Sequence, residues 1–377
     1  MVRLLVLSAI LVLFIGLYPA KGQDKSMPHN PPPPEKTVEQ VKKNIKVLTG
    51  MPVSQLTPTM DYFAMSLGVR CDFCHSSDTA GHTDFASDEK SEKKTAREMI
   101  TMVKDLNENH FNGKIAVTCY TCHHGANEPM RNPELPIAMK AHEENEDAHR
   151  PELPKTDQVL AAYEKALGGA DAMGKIKTRI VKAVLTRGEN QNSLDIVQAA
   201  PGRYAGSVTN EGQIFTNVVD GKEGWSTSSR GARPLSDAEL TRISREASMF
   251  PLQHLKDMGE NLRIRGTDTV NGKTAYVLVA RIGDNLMERY YIDSATSLLT
   301  RRNVMNKTML AWLPDQCDYS DFREIDGVKI PFVERYSYVN SRANSVHKFT
   351  EVKQNVSIDE KLFTKPEMKP MEGRDKK

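Results

Sequence analysis

Two stretches, "LGVRCDFCHSSD" (67–78) and "IAVTCYTCHHG" (115–125), decide how the first third of this chain of 377 residues is read. Each contains Cys-x-x-Cys-His: Cys71, Cys74 and His75 in the first, Cys119, Cys122 and His123 in the second. Four of the five cysteines are spent on this one pattern. It offers two thiols able to form thioethers with the vinyl groups of a haem, and a histidine placed to ligate the iron, all within one tight turn. A structural zinc site would bring its Cys pairs closer in sequence and needs no histidine after each of them. Two local disulfides would leave both histidines without a task. The residues therefore point to two covalently attached haem c groups.

Working outward, the N-terminus fits export, which c-type attachment requires. Met1-Val2-Arg3 precedes an apolar run from Leu4 to Tyr18 and then "PAKGQDK". This is the pattern of a secretory signal peptide over residues 1–22, and it implies a periplasmic or otherwise exported protein. A retained signal helix, holding the protein at a membrane, is the alternative. Removing it leaves 49 basic and 49 acidic residues, a balance without the electrostatic footprint of a nucleic-acid binder.

The texture of the chain suggests a multidomain organisation. Residues 23–35, with "PPPP", form a Pro-rich tether. Residues 36–129 carry helical periodicity. "TVEQVKKNIKVLTG" spaces Val38, Val41, Ile45 and Leu48 for a helix ending at Gly50. "TPTMDYFAMSLG" predicts a second helix, capped by Thr57 with Pro58 in its first turn and closed by Gly68. A third, from about Glu92 to His110, puts Ala96, Met99, Val103 and Leu106 on one face. Each motif thus follows a methionine-bearing helix. Residues 130–155 read as a Pro- and Glu-rich linker.

Residues 156–366 open with the helix "DQVLAAYEKALGG" and turn to β texture, with Asn271-Gly272 and Asp326-Gly327 as hairpin turns. One helix, "LSDAELTRISREAS", interrupts the strands behind a Ser236/Glu239 capping box. A charged tail, 367–377, ends the chain. The predicted fold class is a mostly α-helical c-type cytochrome domain followed by an α+β domain with a curved antiparallel sheet, an unclosed β-barrel.

Spacing alone leaves the second axial ligand open between Met60 and Met65 for the first motif, and between Met99 and Met102 for the second. His82, His110 and His124 compete. His124 adjoins His123 and cannot reach across the same iron, and His110 suits a helix C-terminus.

At these residues the sequence resembles the cytochrome c subunit of photosynthetic reaction centres and its two-haem relatives, over roughly residues 36–126. In that family a helix methionine sits eleven residues before the first Cys, which selects Met60. The second methionine is followed eight residues later by an Asn ahead of Val-Thr-Cys-Tyr-Thr-Cys-His, which selects Met99 with Asn107. The resemblance implies iron held by His75/Met60 and His123/Met99, leaving Met65 and Met102 to packing. This chain departs from the photosynthetic subunit, which usually carries four haems and lacks the β-rich half. That half is similar, more loosely, to the outer-membrane lipoprotein-sorting (lipoprotein carrier) family, in "VVDGKEGWS" and "DYSDFREIDGVKIPF" for example.

The implied function is transfer of single electrons between redox partner proteins, either a membrane complex or a soluble carrier. Haem propionates would add charge to an already mildly acidic domain, favouring a partner with a basic docking face. Two other classes stand beside it. A peroxidase-like haem enzyme would need one open iron and a distal acid–base group. A carrier would hold a lipid or apolar ligand in the β-half, where Trp225, Trp312, Tyr290 and Tyr291 either line a hollow or fill the core. Cys317 reads as buried and inert.

Overall fold

Alternation of apolar and polar residues is the commonest feature of the second half, and it folds there into one sheet. The computed structural model describes residues 35–78, 81–129, 131, 152–251, 255–256 and 261–367. The signal peptide, nearly all of the tether and linker, and the charged tail lie outside them.

The helical part runs α1 (Val38–Val41), α2 (Leu56–Leu67), α3 (Cys71–Cys74), a two-stranded ribbon of β1 (Ser76–Ser77) with β2 (Thr83–Asp84), α4 (Ser91–His110) and α5 (Cys119–His123). It is less helical than expected. The helix foreseen over "TVEQVKKNIKVLTG" is confined to α1, because Asn44 takes a left-handed conformation with φ 59°. Its amide donates to Ala86 O at 2.6 Å and to Asp88 Oδ1 at 2.8 Å, so the side chain trades helix for a tertiary anchor. Val38 from α1 and Leu48 from irregular backbone still reach the core beside Met51 and Ile100.

After α6 (Thr156–Leu167) and α7 (Ala170–Lys175) come β3 (Thr178–Arg187), β4 (Asn190–Ala199), β5 (Arg203–Asn210), β6 (Gln213–Val219), β7 (Gly224–Ser228) and β8 (Gly231–Pro234). α8 (Asp237–Ala247) interrupts. Then follow β9 (Leu262–Val270), β10 (Lys273–Ile282), β11 (Leu286–Asp293), β12 (Leu299–Lys307), β13 (Trp312–Ile325), β14 (Val328–Tyr338) and β15 (Ser345–Gln354). All thirteen strands from β3 onward join one sheet, paired antiparallel throughout, in the order β8-β7-β6-β5-β4-β3-β15-β14-β13-β12-β11-β10-β9. β8 and β9 form its two edges, so the sheet does not close. Only neighbouring strands pair, apart from the β3–β15 junction that joins the two runs, so most register is set by tight turns. At Asn271-Gly272 and Asp326-Gly327 both central residues have positive φ, as a two-residue turn matched to strand twist requires.

α6 presents Val159, Leu160, Tyr163 and Leu167 to Leu278, Tyr290, Ile292 and Leu299 on the inner face of the sheet. α8 begins at the expected capping box: Ser236 N donates to Glu239 Oε2 at 2.9 Å, and Glu239 N to Ser236 Oγ at 3.4 Å. Trp225, only 1% exposed, packs with Ala205, Val218 and Phe363 as core filler. Tyr290 and Tyr291 are buried as well, Tyr290 donating to Glu288. Cys317 is buried, and burial pushes its thiol well above the ordinary range.

Residues Lys36–Lys377 group into one compact unit, and a specific turn joins its two parts. Between β12 and β13, Leu310 enters the cluster of Val38, Leu48, Met51 and Ile100, while Ala311 and Leu313 pack on Tyr62 of α2. Met309 N donates to Gln55 Oε1 at 3.1 Å, and Asn340 Nδ2 to Asp61 Oδ2 at 3.2 Å.

Candidate functional site

The first motif is delivered by the end of α2. Gly68 adopts φ 66° there and turns the chain, with Val69 N returning to Ala64 O at 3.0 Å. α3 is a single turn made of Cys71–Cys74, closed by His75 N donating to Cys71 O at 3.0 Å. His75 then leaves in an extended conformation, its ring edge-on to Phe85 at 5.0 Å.

The second motif is built on the same plan with better caps. Thr118 precedes α5, its N–H donating to Thr121 Oγ1 at 3.0 Å. His124 ends the helix in the left-handed region with φ 47°, so its ring faces Tyr120 and not the far side of His123. Upstream, the buried Asn107 of α4 fixes the approach. Its Nδ2 donates to Val117 O at 2.7 Å, and its Oδ1 accepts from Ala116 N at 3.0 Å and Val117 N at 2.9 Å. One amide thus sets the backbone two residues before Cys119.

The two motifs are interlocked. Gly125 N donates to Ser66 O at 2.9 Å, and a Cβ on Gly68 would run into Gly125 O, so α5 lies against the end of α2. Cys119 packs beside Tyr62 and Phe63 of α2. Lys90, just before α4, donates from Nζ to Asp72 O at 2.7 Å. Each motif therefore leans on the helix that precedes the other one.

The donor set fits a haem iron. Burial holds His75 below its ordinary pKa, aided by Lys93 and Arg97, so its ring is neutral at pH 7, as a ligand must be. His75 Nδ1 is buried without a hydrogen-bond partner. His123 Nδ1 lies 2.9 Å from Ala126 O; as donor it leaves Nε2 with the free lone pair. Burial raises the pKa of the Cys74 and Cys119 thiols. Among the described residues no three His, Cys, Asp or Glu side chains converge on one point.

The methionines divide differently from expectation. Met60 and Met65 lie about 140° apart around α2, so they face different ways. Met60 packs toward the Ile100 cluster, and Met65 is 43% exposed. On α4, Met99 (39%) and Met102 (43%) share one exposed face. Met65 and Met102 thus lie outside the protein core. Phe85, Phe111 and Tyr120 are exposed around the motifs too, an apolar surface suited to a large flat apolar group. His82 is exposed and pairs with Asp78 at 3.4 Å, and His110 is the exposed last residue of α4.

Sequence reasoning missed the turn that carries Leu310. Its signal was available: "TMLAWLP" (308–314) is an apolar run where a hairpin connection is normally polar.

Comparison with known proteins follows the two halves. Residues 19–154 match the profile of the photosynthetic reaction centre cytochrome C subunit family. Cytochrome c-554 of Chloroflexus aurantiacus is 37% identical over 90 residues, which are 22% of this chain and 20% of that protein. The match thus spans about a fifth of that relative's length. A DUF1329 family protein from Desulfovibrio piger covers 55% of this chain and 96% of its own, at 11% identity and TM-score 0.41. A domain assigned to outer membrane lipoprotein sorting, from Vibrio parahaemolyticus, covers 55% and 94% at 11% identity and TM-score 0.37. The N-terminal part of the chain is therefore similar to the cytochromes c.

Proposed function

We propose that this protein is an exported dihaem c-type cytochrome that passes single electrons between partner proteins. Cys71 and Cys74 would hold one haem and Cys119 and Cys122 the other, with His75/Met60 and His123/Met99 as axial pairs. A haem c in each position supplies a one-electron iron couple, whose potential is raised by a thioether ligand relative to a second histidine. The observation that carries this reading is the repeated unit: amphipathic methionine helix, turn, short helix of Cys-x-x-Cys and a histidine at its end.

Each chain group has a defined task. The short helices keep both thiols of a pair on one turn, so attachment fixes the group without loop rearrangement. The Ala126 carbonyl orients His123 by holding Nδ1–H, which leaves Nε2 to donate its lone pair. Asn107 holds Val117 and thereby the entry to Cys119. For the first pair, Met60 borders the Ile100 cluster and would supply its thioether from there.

The test is an optical spectrum of the mature protein made with c-type maturation. Two covalent haems per chain are expected, together with the weak deep-red band of methionine-ligated ferric haem. Met60→Ala and Met99→Ala should each abolish about half of that band while leaving covalent haem intact. If Met65→Ala or Met102→Ala does so instead, the axial assignment moves to those residues. Absence of covalent haem would overturn the reading altogether, and a high-spin fraction in the unmodified protein would favour an open iron and a haem enzyme.

A further inference from the structure

The outer face of β9, β10 and β11, opposite the face covered by α6, holds an open groove of about 580 Å³. Arg263 and Arg265 of β9, Arg281 of β10 and Arg289 of β11 line it. Register explains the convergence: Arg263 pairs with Val279, which pairs in turn with Arg289, and Arg281 pairs with Met287. Side chains two apart on a strand share a face, so all four guanidinium groups lie on one side. Asp268 is the one acid in the lining, and its Oδ1 accepts from Thr269 N at 2.7 Å. No salt bridge or side-chain hydrogen bond among the described residues engages the four guanidinium groups. Nearby Arg301, by contrast, is paired with Asp318. Four positive charges gathered around one carboxylate repel one another, an arrangement that an incoming anion relieves.

One end of the groove reaches the start of β13. Arg281 lies over the ring of Trp312 at 5.9 Å. Trp312 stands between Ala311 and Leu313, the residues packed with Tyr62, Phe63 and Cys119. β9 is an edge strand, so nothing in the sheet blocks a body approaching from that side.

We propose that this arginine groove is the docking face for an acidic electron-transfer protein. Resting on the cytochrome reading above, this names the partner's charge. It differs from the partner inferred from the acidic helical part alone, because the β-half supplies a basic face of its own. Small lipid headgroups or free phosphate would need one or two guanidinium groups; four of them spread over three strands match an extended acidic surface.

The test is direct binding of a strongly acidic [2Fe–2S] ferredoxin to the full mature protein, read by calorimetry. A strongly basic single-haem cytochrome, phosphatidylglycerol vesicles and inorganic phosphate serve as counter-probes. Complex formation at about 0.01 M ionic strength is expected to weaken at least tenfold by about 0.15 M, where screening shortens to roughly 8 Å. Arg263→Glu/Arg281→Glu should weaken the ferredoxin complex at least tenfold and strengthen binding of the basic cytochrome. Circular dichroism of the variant checks that the sheet persists. Equal ferredoxin affinity in wild type and variant would overturn the proposal, as would an arginine-dependent response to vesicles or phosphate without one to ferredoxin. Haem content, measured separately, reports on the cytochrome reading, so a failure of that reading is told apart from a failure of the groove.

Discussion

Around Cys119–His123 the chain is held by a buried amide, and around Cys71–His75 by charges in water. Asn107 makes three hydrogen bonds to the backbone ahead of the second motif, and His123 Nδ1 has a carbonyl to hold it. Beside the first motif the corresponding work falls to Asp88. It takes Lys46 Nζ at 2.7 Å, Asn44 Nδ2 at 2.8 Å and Arg97 Nη1 at 2.8 Å, which binds the 44–46 and 85–88 segments to α4. His75 Nδ1 has no such partner. Two copies of one pattern are therefore supported by different physics, and the copies should respond differently to mutation, salt and pH.

The largest effect should come from breaking the amide clamp. Asn107→Ala strips three hydrogen bonds and leaves the Ala116 and Val117 amides short of an acceptor, at a cost of roughly 3 kcal/mol. Denaturant unfolding measures that loss. Haem counted per chain should fall toward one, with the remaining spectrum that of the first site. Asn107→Asp keeps the acceptor for both amides and should recover part of the stability. Equal loss at both sites would mean that the motifs are one cooperative unit and that the contrast is illusory.

How far the sequence anticipated this contrast depends on the range of the interactions. α2, α4, the capping box at Ser236 and the two hairpin turns were legible, because their signals lie within a few residues: periodicity, a Ser-x-x-Glu pair, Asn-Gly and Asp-Gly. Asn107 was visible through family resemblance, though its hydrogen bonds were not. The helix expected across 37–50 failed because Asn44 bonds to residues more than forty positions away, which no local pattern encodes. The exposure of Met65 and Met102 is likewise a tertiary fact. So is the docking of Leu310, far along the chain from either motif.

That turn supplies the next test. Leu310 fills a cluster with Val38, Met51 and Ile100 and reaches Met60, so Leu310→Ala should cost about 2–3 kcal/mol through the cavity it leaves. On the proposed dihaem reading its effect should fall on the His75/Met60 site more than on the His123/Met99 site, since Met60 borders that cluster and Met99 lies on the exposed face of α4. The deep-red band would lose intensity or shift for one haem only. Leu310→Met, close in volume, should restore it. If both haems respond alike, the turn supports the helical part as a whole and does not discriminate between the sites.

The smallest effect belongs to Asp88, and its sign is fixed by the direction of its pKa. Hydrogen bonds from Lys46, Arg97 and Asn44 hold the Asp88 carboxyl well below the usual carboxylate range. A group whose folded pKa is depressed contributes stability above its unfolded value, about 3.9, and loses it as pH falls through the folded one. Asp88 is exposed, so salt screens the contribution and its size is modest. Asp88→Asn should therefore lower stability slightly at pH 7 and low salt, with the difference shrinking in high salt and vanishing in acid. The Asn107 deficit should persist under both conditions, because neutral hydrogen bonds are neither screened nor titrated. Stability curves of the two variants at two salt concentrations would separate the mechanisms. An Asp88→Asn deficit that ignores salt would show that the loop is held by geometry at Asn44, leaving both motifs clamped by amides.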